Sequence, residues 1–448
     1  MPTDPVFALA DHVCATRYED LPTSAVSATK RDLLDTFGCA LGGSGAPGID
    51  ALLKLHRNWG GREEAGLLLV GGRLPVHQAA MIHGAMAHAL DYDDTLDEGG
   101  SIHPGASVLA ATLAMADFLG TVSGKDAILA AALGLDVSCR IALAATLDRG
   151  WHRTAAIGIF GATAVAGKLL GLTREKLVHA FGIAYSQAAG NRQCILDGAL
   201  TKRLQAGQAS SGGILSALLA REDFTGAHGV FAGRFGFFEL YQPNGYDLAP
   251  LTADLGTAFR GEMLSFKPYP CGRPQHAVLD AALNAREALG LDASAVIADV
   301  LVSTTAATAA QEFSGAAAKI RPAHIVEAQF ALPFLIAACL RHGRLGIDQV
   351  ADVADAGVLQ LAARVRAEAG PAQIIVTMAD GRVWAQQVRP PRGSPAFPMS
   401  DGERLEKFRD CAAHAMRTID GVTVDRAASL LDDLEHAPDI TALTRMFA

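Results

Sequence analysis

The sequence predicts a mainly α fold: a large all-helical domain, residues 1–264 and 396–448, with a smaller α+β domain, residues 265–395, inserted before the C-terminal helices. Three observations carry this. Up to about residue 250, apolar residues recur at helical spacing almost without a break. Near Phe266 the pattern changes to runs rich in β-branched residues. After the Pro/Gly segment "RPPRGSPAFP" it returns to amphipathic helix.

Each element follows in order. Ser24 is placed to cap a helix through "SAVSATKRDLLDTFGCAL". "EAGLLLVGG", near residue 65, is the one strand expected in this half. Residues Ala79–Leu90 form a small-residue helix. "GASVLAATLAMADFLG", "GKDAILAAALGLDVSCRIALAA" and "GIFGATAVAGKLLGL" are rich in Ala, Gly and Leu. Small side chains let helices approach closely, and a helix apolar nearly all round is buried. Thr173 caps the next helix, which carries Glu175 in its first turn and ends at Gly190. In the second region "VIADVLVSTTAA" reads as a strand and "AQIIVTMADGRVWAQQV" as a hairpin turning at "ADGR". Helices are expected near His276–Leu289 and Glu327–His342. "DGERLEKFRDCAAHAMRTI" and "VDRAASLLDDLEHA" pack back on the first domain.

Composition narrows the function. Half of the 448 residues are hydrophobic, 19% are charged, and the net charge is −9. That fits a soluble chain with a large core, and it excludes a basic nucleic-acid surface. The seven cysteines form no CxxC pair, which fits reduced thiols and argues against a cysteine-ligated metal. The first residues lack a basic n-region. The longest apolar run, Ala328–Leu340, is too short to span a bilayer and contains a proline. A cytoplasmic protein with no membrane or nucleic-acid partner is expected.

The chemistry concentrates in "HALDYDDTLDEGGSIHPGAS", His88–Ser107, where Asp91, Asp93, Asp94 and Asp97 follow a helix end. Acids at a helix C-terminus face an already negative dipole, so cationic partners or a ligand are needed to compensate. A solvated loop with Asp in turn roles is the bland alternative. Asp93, Asp94 and Asp97 also spell DDxxD, a pattern that holds magnesium. That reading requires a second facing acidic motif, and "LDDLEH" near Asp432 matches poorly. In an acid/base reading, His103 moves a proton near neutral pH and a nearby aspartate orients it. His152 precedes a helix start. Lys202 and Lys267 stand in small-residue or loop contexts, and with Arg192, Arg203 and Arg273 they are able to hold carboxylates. Cys271 and His276 read as structural, a loop anchor and a helix start being also the bland alternative for Tyr269, and Asp97 and Glu98 read as solvated.

At this point the chain resembles the MmgE/PrpD superfamily, which includes 2-methylcitrate dehydratase, cis-aconitate decarboxylase and iminodisuccinate epimerase. The resemblance rests on "HALDYDDT…HPGASVLAA", "GWHRTAAIGIFGATAVAGKLLGL", "ALTKRLQAGQAS", "FKPYPCGRPQHAVLDAAL" and "RGSPAFPMSDGERLEKF", in that order. It implies a helical domain with the smaller α+β domain as a lid, a homodimer, and no metal or organic cofactor. It also implies a lyase acting on a small di- or tricarboxylate through a carbanion next to a carboxylate. The alternatives are an epimerase using the same proton chemistry, or a family member without activity. Residue by residue, the resemblance carries a catalytic role to His103, His152, Asp91, Lys202 and Lys267, with Asp91 orienting His103. It places Thr95, Lys202, Lys267 and Phe334 against substrate. Phe334 stands where the decarboxylase has tyrosine, so a phenol hydroxyl is lost there. "HPGAS" departs from the "HPSDN" of the dehydratase branch.

Overall fold

Small residues set the spacing of the helical part. In the computed structural model, which describes residues 3–98, 100–292, 295–313 and 316–448, the helices Val76–Ala87 and Thr201–Arg221 touch backbone to backbone. A Cβ added to Gly84 would fall 2.4 Å from Ser210 Oγ, and one on Gly207 would fall 2.3 Å from the Met81 carbonyl oxygen. The Arg153–Leu169 helix approaches its neighbours in the same way. Gly158 faces Ser107 of the Pro104–Leu119 helix, and Gly161 faces Ser138 of the Gly124–Ala144 helix. The expected close packing of Ala/Gly-rich helices is therefore present, and it brings several helix N-termini toward one place.

Among the described residues, buried apolar side chains form two large cores. One draws on residues 6–266 and 399–447 and is built from helices. The other draws on residues 269–378 and surrounds a four-stranded sheet. Strand order in that sheet is Val365–Ala369, Ile297–Thr304, Gln373–Met378, Val383–Gln387. The first pair is parallel and the others antiparallel. A small third cluster, Cys39, Leu90, Tyr92, Ile347 and Cys411, lies at a seam between residues of both parts.

Several expectations hold and others shift. The hairpin turns where "ADGR" placed it, with Gly381 at a φ of 90°. Thr173 accepts from the Lys176 N–H as a cap. That helix stops at Tyr185, short of Gly190, because Ser186 Oγ and Gln187 Nε2 both donate to the Ile183 carbonyl that another turn would use. Ser24 is not a cap: the helix begins at Thr23, after Pro22. The strand near residue 65 is only Ala65–Gly66 paired with Arg73–Leu74. The Glu327–His342 helix is broken into Ile325–Ala328 and Leu332–His342, with Pro333 in the first turn of the second piece. The strand Val365–Ala369 was not expected; its Arg, Ala and Glu are residues that favour helix. Among the described residues one helix, Gly124–Ala144, is long and apolar enough to cross a bilayer. It is a core helix, 94% buried in its most apolar window, and it carries the ion pair of Asp136 with Arg140.

Candidate active site

The Val76–Ala87 helix ends at His88, and the chain turns through Asp91 at a φ of 52°. Aspartate tolerates this left-handed conformation better than most side chains. The turn sends its acids in different directions. Asp93 faces His88, Asp94 faces the Gly105 N–H, and Asp97 pairs with Arg273. The DDxxD residues thus diverge and do not form a shared magnesium site. Asp97 is not free in solvent as expected, since it also accepts from Ser265.

Asp91 is met by two ammonium groups. Lys267, from the segment joining the two cores, donates to the Asp91 carbonyl at 2.9 Å and to one carboxylate oxygen. Lys202, in the first turn of the Thr201–Arg221 helix, lies 3.3 Å from the other oxygen. Lys202 also donates to His88 Nε2 at 2.7 Å, and His88 Nδ1 lies 2.7 Å from Asp93. The His88 ring is 5.1 Å from His103 and 5.4 Å from His152, centre to centre. His103 and His152 are the N-caps of the Pro104–Leu119 and Arg153–Leu169 helices. Three helix N-termini therefore converge on the cluster, and their partial positive charge favours an anion.

The hydrogen bonds fix the tautomers. His103 Nδ1 lies 2.5 Å from the Asp94 carbonyl, which only accepts, so Nδ1 carries the proton. His152 Nδ1 faces Gln205 Oε1 at 2.9 Å, and that oxygen also accepts from the Asn191 N–H. His88 donates through Nδ1 to Asp93. In all three rings Nε2 keeps its lone pair. His152 Nε2 is buried without a partner, as is the Thr95 hydroxyl. Burial pushes all three imidazoles well below the ordinary histidine range; Lys202 adds to this at His88, Lys267 at His103 and His88 at His152. Burial alone would raise Asp91, but Lys202 and Lys267 outweigh it and hold the carboxyl well below its usual range. Burial lowers Lys202, with Asp91 opposing.

A second group of acids lies beside this cluster. Asp32 and Asp94 are fully buried, and a Cβ on Gly105 would fall within 2.9 Å of a carboxylate oxygen of each. Burial pushes both well above the usual range, with Asp35 reinforcing it at Asp32 and Asp32 reinforcing it at Asp94. Lys407 reaches in from the Asp401–Ala413 helix to donate to Asp35 and to the Tyr92 carbonyl, both at 2.6 Å.

Of the residues expected from sequence, Asp91, His103, His152, Lys202 and Lys267 come together, with Thr95 buried beside Ser265. The expected orientation of His103 by Asp91 is corrected: the Asp94 carbonyl holds its Nδ1, because the Asp91 carboxylate is occupied by lysines. Phe334 is wholly buried in the sheet-bearing core. The ring beneath the Lys202 ammonium is Phe330, at 5.7 Å. Arg192 pairs with Asp148, and Arg203 donates to the Pro47 carbonyl, so these two and Arg273 are engaged elsewhere. Tyr269 bonds Asp280, and His276 bonds the Cys271 carbonyl, as structural anchors. His88 and Gln205 had no role from sequence, and Asp93 had only the magnesium role of the DDxxD reading. The only signal for His88 was its place at the helix end before the acids. Asp91, Asp93 and His103 present ligand atoms within 4.8 Å of one another. Both Asp91 oxygens face ammonium groups, which oppose a cation, so this donor set does not fit a metal centre.

Comparison with known proteins supplies the lineage. The chain is 26% identical to a cis-aconitate decarboxylase-like protein of Aspergillus oryzae, over 98% of this chain and 96% of that one. It is 26% identical to the cis-aconitate decarboxylase of Homo sapiens, over 84% and 80%. It is 27% identical to the 2-methylcitrate dehydratase of Cupriavidus necator, over 64% and 62%. Residues 8–248 match the MmgE/PrpD N-terminal domain and residues 269–423 the MmgE/PrpD C-terminal domain. With more than half of its length matched in the right order, the chain belongs to the MmgE/PrpD family.

Proposed function

We propose that the protein is a cofactor-independent lyase acting on a small tricarboxylate of the cis-aconitate or 2-methylcitrate type. One observation carries the reading: an imidazole lone pair on His103 and two ammonium groups, on Lys202 and Lys267, share one closed cluster. Such reactions make a carbanion next to a carboxylate. Ammonium groups stabilise that charge, a base takes the proton where one must leave, and an acid supplies a proton to carbon or to departing hydroxide. Neutral His103 suits the base. The Lys202 ammonium, its proton affinity lowered by burial, suits the acid. Substrate carboxylates would compete with Asp91 for the lysines, while Thr95 and His152 have unpartnered polar atoms to offer.

The more extensive matches carry decarboxylase names, and "HPGAS" departs from the dehydratase pattern, so decarboxylation is preferred. In that reaction the bond from carbon to carbon dioxide breaks, its electron pair moves through the adjacent double bond to a carbon next to a remaining carboxylate, and a proton from Lys202 is added there. The cluster is closed to bulk water, so the sheet-bearing part would act as a lid, moving Lys267 at its edge. Purified protein in deuterated water, given cis-aconitate or 2-methylcitrate and followed by NMR, tests this. Release of carbon dioxide with one deuteron at the product carbon supports decarboxylation. Exchange without net elimination favours an epimerase. No turnover and no binding of either acid overturns the reading.

A further inference from the structure

We propose that His88, fixed by Asp93, is a positioning residue that holds Lys202 in place as the proton donor; this rests on the lyase reading above. His88 has no atom left for substrate. Its Nδ1–H goes to Asp93 and its Nε2 lone pair accepts from Lys202, both at 2.7 Å, and both side chains of the dyad are fully buried. The need for it follows from counting charges. Two ammonium groups share one carboxylate, Asp91, and Lys267 holds the shorter contacts. Lys202, at 3.3 Å, requires a second acceptor, and an acid in direct contact would compete with substrate carboxylates for its remaining hydrogens. A neutral imidazole supplies the acceptor without the charge.

Asp93 makes this work. A carboxylate at Nδ1 forces the proton onto that nitrogen; the opposite tautomer would set Nε2–H against the ammonium. With two of its hydrogens directed to His88 and Asp91, Lys202 has one left for substrate. In turnover the Lys202 N–H bond breaks as the product C–H bond forms, and the amine regains its proton from water after release. The groups facing Lys202 are His88, Asp91, Asp93 and Lys267, with His152, Cys194 and the Phe330 ring at its margin.

The test compares His88→Leu, which removes the acceptor and keeps bulk, with His88→Gln, which keeps an acceptor. Protein carrying 13Cε-lysine is titrated by NMR without substrate. The Lys202 signal in His88→Leu is expected to titrate about one pH unit lower, a tenfold weaker hold on the proton, and His88→Gln to recover most of that. On the acid that wild type turns over, kcat of His88→Leu should fall about 100-fold with little change in KM. An unchanged Lys202 titration in His88→Leu overturns the proposal. Should that variant not fold, 15N-histidine spectra of wild type decide: Nδ1–H on His88 supports the proposal and Nε2–H overturns it. If wild type turns over no tricarboxylate, the lyase reading fails, while the titration still tests the link between His88 and Lys202.

Discussion

Lys267 grips Asp91 twice, through the main-chain oxygen at 2.9 Å and through the carboxylate, across 176 residues of sequence. The contact ties the acidic turn of the helical core to the segment where the sheet-bearing core begins. It also makes Asp91 the carboxylate that meets both Lys202 and Lys267.

Removing that carboxylate strands two buried ammonium groups. Asp91→Ala is therefore expected to lose about 3–5 kcal/mol of stability, read as a lower midpoint in denaturant unfolding. A loss under 1 kcal/mol would mean that water or another acid already neutralises the lysines.

His103→Gln keeps hydrogen bonding but lacks a basic nitrogen. The turnover of cis-aconitate should drop by about 100- to 10,000-fold, with the thermal midpoint little changed. Activity within threefold of wild type would remove His103 from the proton-transfer step.

Acid should destabilise the fold. His83, buried and accepting from the Leu68 N–H, is pushed down to about 4, and His88, His103, His152 and His276 are lowered by burial as well. The unfolded chain binds these protons from about pH 6.5, while the folded state resists them. Stability is thus full above that pH and falls as pH drops toward 4. Asp91, held low, adds to the loss at still lower pH. Unfolding midpoints that stay level from pH 7 to 4.5 would contradict this.

The Asp32–Asp94 pair works in the opposite sense. Raised carboxyls bind protons more tightly in the folded state, so their contribution is present in acid and fades as pH rises above the ordinary carboxylate range. Asp32→Asn mimics the protonated form. It should stabilise more at pH 8 than at pH 5, by up to about 1.4 kcal/mol per pH unit across the window. An effect independent of pH would show that the Asp32 carboxyl is not raised in the folded state.

Gly207→Ala pushes a methyl to 2.3 Å from the Met81 carbonyl oxygen. The helices that carry His88 and Lys202 must then separate. About 1–3 kcal/mol of stability should be lost, with weaker turnover. A neutral substitution would show that this contact has slack.

The fold was legible where local chemistry decides it. The Ala/Gly-rich helices, the "ADGR" hairpin and the Thr173 cap all follow from short-range pattern. Val365–Ala369 was hidden, because a parallel strand depends on a distant partner and its Arg, Ala and Glu are residues that favour helix. The five chemical residues were named through motifs, and their shared place depends on Gly84, Gly207 and Gly158 letting helix ends converge. His88 stayed hidden because a histidine at a helix end has many structural uses. Lys407 was hidden because its partner Asp35 is 372 residues away.

The seam cluster has one more consequence. Leu90 and Tyr92 flank Asp91 and are sealed there with Ile347, Cys39 and Cys411. Parting the two cores must unseat them together, so the thiols meet solvent only while the molecule gapes. Alkylation of Cys39 and Cys411 then becomes a stopwatch for breathing, and a bound polyanion that clamps the halves shut should slow it.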